Sequence, residues 1–337
     1  MAHTLRVAVI GLGLMGQRRA EVAHAHPGSR VVRVYDVLQE RARAVAARLA
    51  AEPAPTWEAC CRGDLDVVVV STPNAPKDTI ALSAVARVPC VLVEKPAARS
   101  LLALRAVIDA ADRNGALLKV GFNYRYFGGL HDARQALAAG IVGELVNYRI
   151  RHGHGGRPDY QSDWRMDRAI SGGGQLMDQG SHAIDLAHWY AGPVTAASCE
   201  LQGAVWGGGT VEDNAFVTLR HGAVVGQIHV SWTQWRNLFA IELFGTRGAI
   251  VVEGLGGSYG RQRRTTYQRR DGGVPHRTRR YYRDDALTTF RREWADLVTA
   301  FDRPAANRTA WQRQAIDATA LIDDLYGPRG ASAGESA

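Results

Sequence analysis

Residues 7–23 read VAVIGLGLMGQRRAEVA, and this stretch decides the fold of the first part of the chain. Its apolar start predicts a buried strand from Val7 to Ile10, and the residues after Gly16 predict a helix. Gly11 permits a tight turn, Gly13 lets the backbone approach a pyrophosphate, and Gly16 lets helix and strand pack closely. The free N–H groups and the dipole of a helix N-terminus favour a phosphate there. The stretch therefore predicts a dinucleotide-binding site.

The type of dinucleotide follows from the second predicted strand, residues 30–35, which ends at Asp36. Asp36 lies 20 residues beyond Gly16, where a carboxylate binds the ribose diol of a dinucleotide. The same carboxylate repels the 2′-phosphate of NADP, and Val37-Leu38 supply no adjacent Arg to accept it. NAD is therefore the predicted cofactor, in preference to NADP.

Three further apolar runs, residues 66–71, 90–93 and 117–121, alternate with helical segments and predict an α/β fold with a doubly wound parallel sheet. Each run ends in a polar cluster, and the carboxyl ends of parallel strands are where such a sheet binds its ligands. The clusters are Ser71-Thr72-Pro73-Asn74, Glu94-Lys95-Pro96 and Phe122-Asn123-Tyr124-Arg125. Lys95, one of only three lysines, is thereby predicted to reach a nicotinamide.

The composition excludes several classes of protein. With 337 residues, 46% of them hydrophobic and 22% charged, the chain is typical of a soluble globular protein with room for two domains. No apolar run approaches the ~20 residues of a membrane helix, and the N-terminus enters a strand without room for a signal peptide. We therefore expect a cytoplasmic protein without a membrane partner. No C-x-x-C spacing among the four cysteines suggests zinc or redox chemistry.

The net charge of +8 is concentrated in one stretch. Residues 255–285 hold nine Arg and three Asp, which is +6 of that total. Three interpretations are open: a solvated excursion at a sheet edge, a clamp for an anionic group such as the diphosphate of a nucleotide sugar, or a nucleic-acid surface. Because the charge is confined to one stretch and no recognition motif accompanies it, we predict no nucleic-acid partner.

A second motif, GGGQLMDQGSHAID at residues 172–185, carries Asp178 and His182 four positions apart. On a helix this spacing places both side chains on one face, where they can act on one substrate. Oxidation of a secondary alcohol requires loss of a hydride and of a proton, and the proton is a usual task for His. We predict His182 as acid/base, with Asp178 orienting the imidazole or binding a neighbouring hydroxyl. The three glycines are expected to let the chain turn sharply and approach the cofactor.

Together with the glycine loop and the strand-end clusters, residues 172–185 resemble motifs of the Gfo/Idh/MocA oxidoreductases, in the order and spacing of that family over about residues 5–250. The resemblance implies a Rossmann domain followed by an α+β domain with an open, mostly antiparallel sheet, which usually builds a dimer or tetramer. It places the lysine of the E-K-P motif at Lys95 and the acid and histidine of the D-x-x-x-H pair at Asp178 and His182. Two departures are Lys77, where relatives often carry His, and the Arg-rich stretch.

The predicted site residues fall into three groups. The predicted catalytic residues are Lys95, Asp178 and His182. The predicted cofactor-binding residues are Gly11, Gly13, Leu14, Met15, Gly16, Asp36, Ser71, Thr72, Pro73, Asn74, Glu94, Lys95, Asn123, Trp164 and Arg165. The predicted substrate contacts are Lys95, Tyr124, His154, Asp178 and His182. His152 and His154 face one side of a predicted strand, but no third ligand accompanies them, so no metal site is predicted.

The remaining pattern divides the chain into residues 1–122 as the NAD-binding domain, 123–326 as the substrate and oligomerisation domain, and 327–337 as a disordered tail. Strand-like segments follow residue 195, with a hairpin turn at 245–248, and two helices are predicted near 287–301 and 310–326.

These observations support an NAD(H)-dependent oxidoreductase that interconverts a ring hydroxyl and a ketone on a sugar, aminosugar or cyclitol, free or nucleotide-linked. Its predicted partners are a small-molecule substrate and further copies of the chain, as a homodimer or homotetramer. Two alternatives are a glycosidase that oxidises its substrate transiently with tightly bound NAD, and a non-catalytic sensor of NAD or sugar.

Overall fold

The computed structural model describes residues 3–157, 159–206, 210–301 and 304–327. Its first part alternates strands with helices, as the apolar runs predict. The strands are β1 (Leu5–Ile10), β2 (Ser29–Tyr35), β3 (Glu52–Pro53), β4 (Val67–Val70), β5 (Cys90–Val93) and β6 (Leu117–Val120). The helices are α1 (Leu14–Ala25), α2 (Gln39–Leu49), α3 (Trp57–Cys60), α4 (Asn74–Val85) and α5 (Leu101–Asn114).

These strands form one parallel sheet in the order β3-β2-β1-β4-β5-β6. All four residues of β4 are valines, and all are buried, since helices cover both faces of a parallel sheet of this kind. The strand order reverses between β1 and β4, and such a reversal opens a crevice at the carboxyl ends of the strands. The predicted doubly wound sheet is confirmed.

A 3₁₀ turn at Asn123–Tyr126 leads into a second unit of mixed helices and strands. Its helices are α6 (Gly128–Ala138), α7 (Arg168–Ser171) and α8 (Ser181–Ala191). Its strands are β7 (Leu145–Gly153), β8 (Ala196–Gln202), β9 (Asn214–His221), β10 (Val224–Ser231), β11 (Leu238–Gly245), β12 (Gly248–Glu253), β13 (Arg263–Gln268) and β14 (His276–Tyr281).

The eight strands form a second sheet in the order β14-β13-β12-β11-β7-β10-β9-β8. Neighbouring strands run antiparallel except β7 and β10, so the sheet is mixed but mostly antiparallel, as predicted. Helices α6 and α8 lie against it. In β9 buried residues alternate with exposed ones, the pattern of a sheet with one covered and one open face.

The chain closes with two helices, α9 (Thr288–Ala300) and α10 (Pro304–Tyr326), the second of which begins earlier than residue 310, its predicted start. Helix α9 packs on the first sheet, where Trp294 is fully buried and its indole N–H donates to Oγ of Ser29 at 2.9 Å. Helix α10 lies against β6, α5 and α8 and so contacts both units. The domain boundaries stay predictions. Of the predicted tail, residues 327–337, only residue 327 lies within the described part of the chain.

The Arg-rich stretch is not a loop: β13 and β14 within it form a hairpin at the edge of the second sheet. Every residue of β14 is exposed. No helix among the described residues is long and apolar enough to cross a bilayer.

Candidate active site

A cleft of about 1070 Å³ lies at the carboxyl ends of β1, β4 and β5 and is closed on its far side by the second unit. It brings together most of the predicted site residues from both halves of the chain. Those that line it are Gly11, Gly13, Leu14, Met15, Asp36, Ser71, Thr72, Pro73, Asn74, Glu94, Lys95, Asn123, Tyr124, Trp164, Arg165, Asp178 and His182.

Two predicted residues do not line the cleft. Gly16 lies beneath it, where a Cβ atom would stand 1.8 Å from the carbonyl oxygen of Gly11, so its role is the predicted close packing of helix on strand. His154 also lies off the lining, and its Nδ1 atom accepts a hydrogen bond from the backbone N–H of Gly156. The predicted substrate contact of His154 stays a prediction.

The glycine loop leaves open the place that a pyrophosphate needs. Gly11 has a φ of +84°, which favours glycine, and a Cβ there would meet the backbone of Ser71 at 2.8 Å. A Cβ on Gly13 would meet no atom within 4 Å, and no side chain caps the N-terminus of α1. Free N–H groups therefore face an open space at this end of the cleft, as a bound phosphate requires.

Asp36 is fixed by the backbone around it. One carboxylate oxygen accepts the N–H of Leu12 at 2.7 Å, and the other accepts the N–H of Leu38 at 2.9 Å. Arg41, in α2, places Nη1 at 3.3 Å from both oxygens. Val37-Leu38 supply no Arg, as the sequence shows, but Arg41 approaches the Asp36 carboxylate from the first turn of α2.

At the other end of the cleft, Lys95 and Asp178 form an ion pair. Nζ of Lys95 donates to Oδ1 of Asp178 at 2.5 Å and to its carbonyl oxygen at 2.9 Å. Nε of Arg165 lies 3.4 Å from Oδ2 of Asp178. Burial alone would raise the pKa of Asp178, but Lys95 and Arg165 outweigh it and hold this pKa far below its usual range. Asp178 is therefore a carboxylate that holds the Lys95 ammonium in place.

His182 is positioned by an aromatic ring rather than by Asp178. Its imidazole stacks on Tyr124 with ring centroids 3.8 Å apart, and the hydroxyl of Tyr124 lies 3.3 Å from Nε2 of His152. Burial, reinforced by the charge of Lys95, lowers the pKa of His182 well below its ordinary value, so the ring is neutral. Its Nδ1 atom is buried and has no hydrogen-bond partner among the described residues, which leaves Nε2 as the nitrogen available to a substrate.

The glycine run before Asp178 includes Gly172 with a φ of +81°, and Gly173 and Gly174 line the cleft, in keeping with the predicted turn, but neighbouring protein atoms also require glycine here. A Cβ on Gly174 would stand 1.9 Å from the carbonyl oxygen of Glu212, and one on Gly173 would stand 2.2 Å from the hydroxyl of Tyr326. The carboxylate of Glu212 also accepts the N–H groups of Gly174 and Leu176. At these two positions glycine is required because neighbouring protein atoms occupy the space that a side chain would need. The segment that follows is a π-helical turn, Leu176–Gly180, which runs directly into α8.

Several lining residues were missed because they come from segments without a recognisable motif. The loop before β13 contributes Ser258 and Tyr259, and the hydroxyl of Tyr259 accepts a hydrogen bond from the amide of Gln179 at 3.4 Å. Lys77, noted only as a departure from the resemblance, is buried in the wall. Other lining residues that were not predicted include Arg18, Arg41, Arg157, Asp284, Asp285, Thr289 and Phe290.

The Arg-rich stretch contributes only its two ends to the cleft. Residues 255–259 and 284–285 line it, whereas none of the nine arginines between them does. Some of these arginines have acidic partners elsewhere, such as Arg263 with Glu253 and Arg280 with Asp132. In the described part of the chain, no group of three or more His, Cys, Asp or Glu side chains is arranged to hold a metal ion.

Comparison with protein families gives two matches that together span both units. The model of the oxidoreductase family with an NAD-binding Rossmann fold matches residues 5–122. The model of the GFO/IDH/MocA C-terminal domain matches residues 130–251.

Sequence identity to individual relatives is low. The chain is 26% identical over 215 residues to levoglucosan dehydrogenase of Pseudarthrobacter phenanthrenivorans, a match that covers 56% of this chain and 55% of that relative. The chain thus spans about half the length of that relative. It is also 26% identical over 270 residues to scyllo-inositol 2-dehydrogenase (NAD(+)) of Bacillus subtilis, with 75% of each chain covered.

A solved structure of levoglucosan dehydrogenase in complex with NADH superposes with a TM-score of 0.85 over 96% of each chain, at 21% sequence identity. At this identity the likeness concerns the fold alone.

Proposed function

The chain belongs to the Gfo/Idh/MocA family of oxidoreductases, and from that membership and the geometry of the cleft we propose that it interconverts a secondary alcohol and a ketone on the ring of a sugar or cyclitol. The predicted enzyme class and the predicted NAD cofactor are confirmed by the family. The substrate, the proton-transfer residues and the oligomeric state are proposals.

The cleft fits NAD on three observations. Open space lies over Gly13, α1 has no side-chain cap at its N-terminus, and the Asp36 carboxylate lies at the end of β2. The glycine loop would hold the pyrophosphate and Asp36 the adenosine ribose. When bound, NAD supplies a nicotinamide ring that takes or gives a hydride. Lys95, Asn123 and Trp164 also line the cleft and are the residues that would contact that ring.

His182 is the proposed acid/base. A neutral imidazole is able to accept a proton at neutral pH, and burial keeps this ring neutral. Stacking on Tyr124 fixes the plane of the ring, so Nε2 has one direction in which to meet the substrate hydroxyl. During reduction of a ketone the same nitrogen would return the proton.

Lys95 is the proposed electrostatic partner. Two of the three Nζ–H groups are used by Asp178, which leaves one donor for the oxygen that is oxidised or reduced. A fixed ammonium beside that oxygen stabilises the negative charge that develops on it as the proton leaves. The observation that carries the proposal is therefore the Lys95–Asp178 pair beside His182 in a cleft that also fits NAD.

Relatives named for levoglucosan and scyllo-inositol support a small, uncharged ring as substrate. The arginines of the stretch 255–285 do not line the cleft. Their positions therefore give no support to the idea that they clamp the diphosphate of a nucleotide sugar. We therefore propose a free sugar, anhydrosugar or cyclitol rather than a nucleotide-linked one. Neither the glycosidase nor the sensor gains support.

The test is the absorbance of reduced nicotinamide after protein and NAD are mixed with two pools of compounds. One pool contains free sugars, anhydrosugars and cyclitols, and the other contains nucleotide-linked sugars. The proposal expects a rise with the free pool. A rise confined to the nucleotide-linked pool would overturn the proposed substrate class. NAD that remains bound on purification, together with cleavage of a glycoside and no net absorbance change, would establish the glycosidase.

A further inference from the structure

Lys77 is a buried cation beneath the catalytic lysine. It lies in the first turn of α4 and is 1% exposed. Its Nζ atom donates to Oδ1 of Asn74 at 2.9 Å, to the carbonyl oxygen of Pro96 at 3.2 Å and to that of Lys95 at 3.3 Å. An ammonium has three N–H groups and no acceptor, so these three oxygens match its full donor capacity.

The contacts join the two segments that carry the catalytic pair. Two of the three acceptors are backbone carbonyls of the segment that bears Lys95. The third belongs to Asn74, whose amide nitrogen donates in turn to the carbonyl oxygen of Ser171 at 2.7 Å. Ser171 ends α7, directly before the glycine run that leads to Asp178. Lys77 and Asn74 therefore form a buried bridge under the Lys95–Asp178 ion pair.

The charges around Lys77 come from three parts of the chain. Glu94 and Lys95 face it from the end of β5, Asp78 from its own helix, and Asp178 from the π-helical turn. Burial, with a contribution from the charge of Lys95, lowers the pKa of Lys77 to about 7, while the acidic groups oppose that shift. Loss of its proton would remove one donor from the bridge.

We propose that Lys77 is a positioning residue: through Asn74 and the carbonyls of Lys95 and Pro96 it holds Lys95 at the distance from Asp178 and the substrate that turnover requires. The three N–H groups of Lys77 are used within the protein, so it has no hydrogen-bond donor left to offer a substrate. The inference rests on the proposed function and concerns a residue outside the predicted site.

The experiment compares Lys77→Met, which removes all three donors, with Lys77→Gln, which keeps two N–H donors without the charge. Lys119→Met is the matched control, because Lys119 is also buried (3% exposed), bonds Tyr126 and Asp296, and does not line the cleft. A displacement of about 1 Å in a catalytic group lowers turnover about 100-fold. We expect kcat to fall ~10- to 100-fold in Lys77→Met and less in Lys77→Gln, with NADH affinity and KM within about threefold of wild type.

A second measurement separates failure of this inference from failure of the proposed function. Because the chain has only three lysines, protein labelled with ¹⁵N at Nζ gives at most three ammonium signals, which the single variants assign. We expect the Lys95 signal to move in Lys77→Met and to stay in place in Lys119→Met, whether or not a substrate is known. Near-normal kcat in a folded Lys77→Met, or an unmoved Lys95 signal, would overturn the inference. If Lys77→Met does not fold, the same criteria apply to Lys77→Gln.

Discussion

At the scale of single residues, we attribute the preference for NAD to the pairing of Asp36 with Arg41. The carboxylate repels a 2′-phosphate and also engages the guanidinium that would otherwise be free to bind one. We predict that Asp36→Asn improves NADPH affinity relative to NADH about tenfold or more, and each tenfold corresponds to about 1.4 kcal/mol. Fluorescence titration with both reduced cofactors measures the ratio. Adding Arg41→Ala should abolish the gain, and an unchanged ratio in Asp36→Asn would exclude Arg41 from this role.

Lys77 also links stability to pH. Its pKa is about 7 in the folded chain and about 10.4 in an unfolded one, so between these values the unfolded chain binds a proton that the folded chain has released. Stability from this group therefore rises with pH across that interval. We predict that the unfolding free energy of wild type minus that of Lys77→Met increases from about pH 7 to 10, as measured by urea unfolding. A difference that is constant over this range would contradict the lowered pKa.

Individual residues could be predicted from sequence where chemistry and motif coincide. Lys95, Asp178 and His182 are such residues, and all three line the cleft. What could not be predicted is which partner each one takes. Asp178 bonds Lys95 rather than His182, and Tyr124 stacks on His182, because these contacts depend on side-chain orientations across two units. Arg41 was missed because its approach to Asp36 requires the helix to be in place.

At the scale of elements, two glycines that look alike in sequence have opposite surroundings. A Cβ at Gly13 meets open space, whereas one at Gly174 meets the backbone of Glu212 at 1.9 Å. We predict that Gly13→Ala leaves stability within about 0.5 kcal/mol but weakens NADH binding, because the methyl group occupies space that the pyrophosphate needs. Gly174→Ala should destabilise the fold by at least about 1–3 kcal/mol, because backbone cannot move aside cheaply. Thermal unfolding and NADH titration of both variants provide the check, and equal stabilities would contradict this distinction.

Strands that are continuous apolar runs could be predicted closely, as β5 (Cys90–Val93) illustrates. Elements without an apolar pattern could not. The hairpin of β13 and β14 is rich in Arg and mostly lacks apolar residues, and it is ordered by pairing with β12 rather than by its own composition. The π-helical turn before α8 was likewise not predicted, and at its start Glu212 accepts the N–H groups of Gly174 and Leu176, a contact that no local pattern reveals.

At the scale of the whole molecule, we predict that the open face of the second sheet forms the interface of the homodimer or homotetramer. Phe216 in β9 is 45% exposed there and stacks on His229 at 4.2 Å. We predict that Phe216→Glu shifts the chain towards a smaller species in sedimentation velocity, since a buried unpaired charge opposes association. Leu102→Glu in α5 is the control for an added charge away from this face, because Leu102 is 81% exposed. A wild-type chain that sediments as a monomer would contradict the predicted oligomer.

The central claim is that His182 transfers a proton to and from a hydroxyl oxygen on the substrate ring beside NAD, while the Lys95 ammonium stabilises the charge that develops on that oxygen. The most direct measurement is the initial rate of NADH formation from the free-sugar and cyclitol pool by wild type and by Lys95→Ala, with NAD affinity measured on the same samples. The account predicts a rate ~100- to 10,000-fold lower in the variant with NAD affinity preserved. A Lys95→Ala enzyme that forms NADH at the wild-type rate would contradict it.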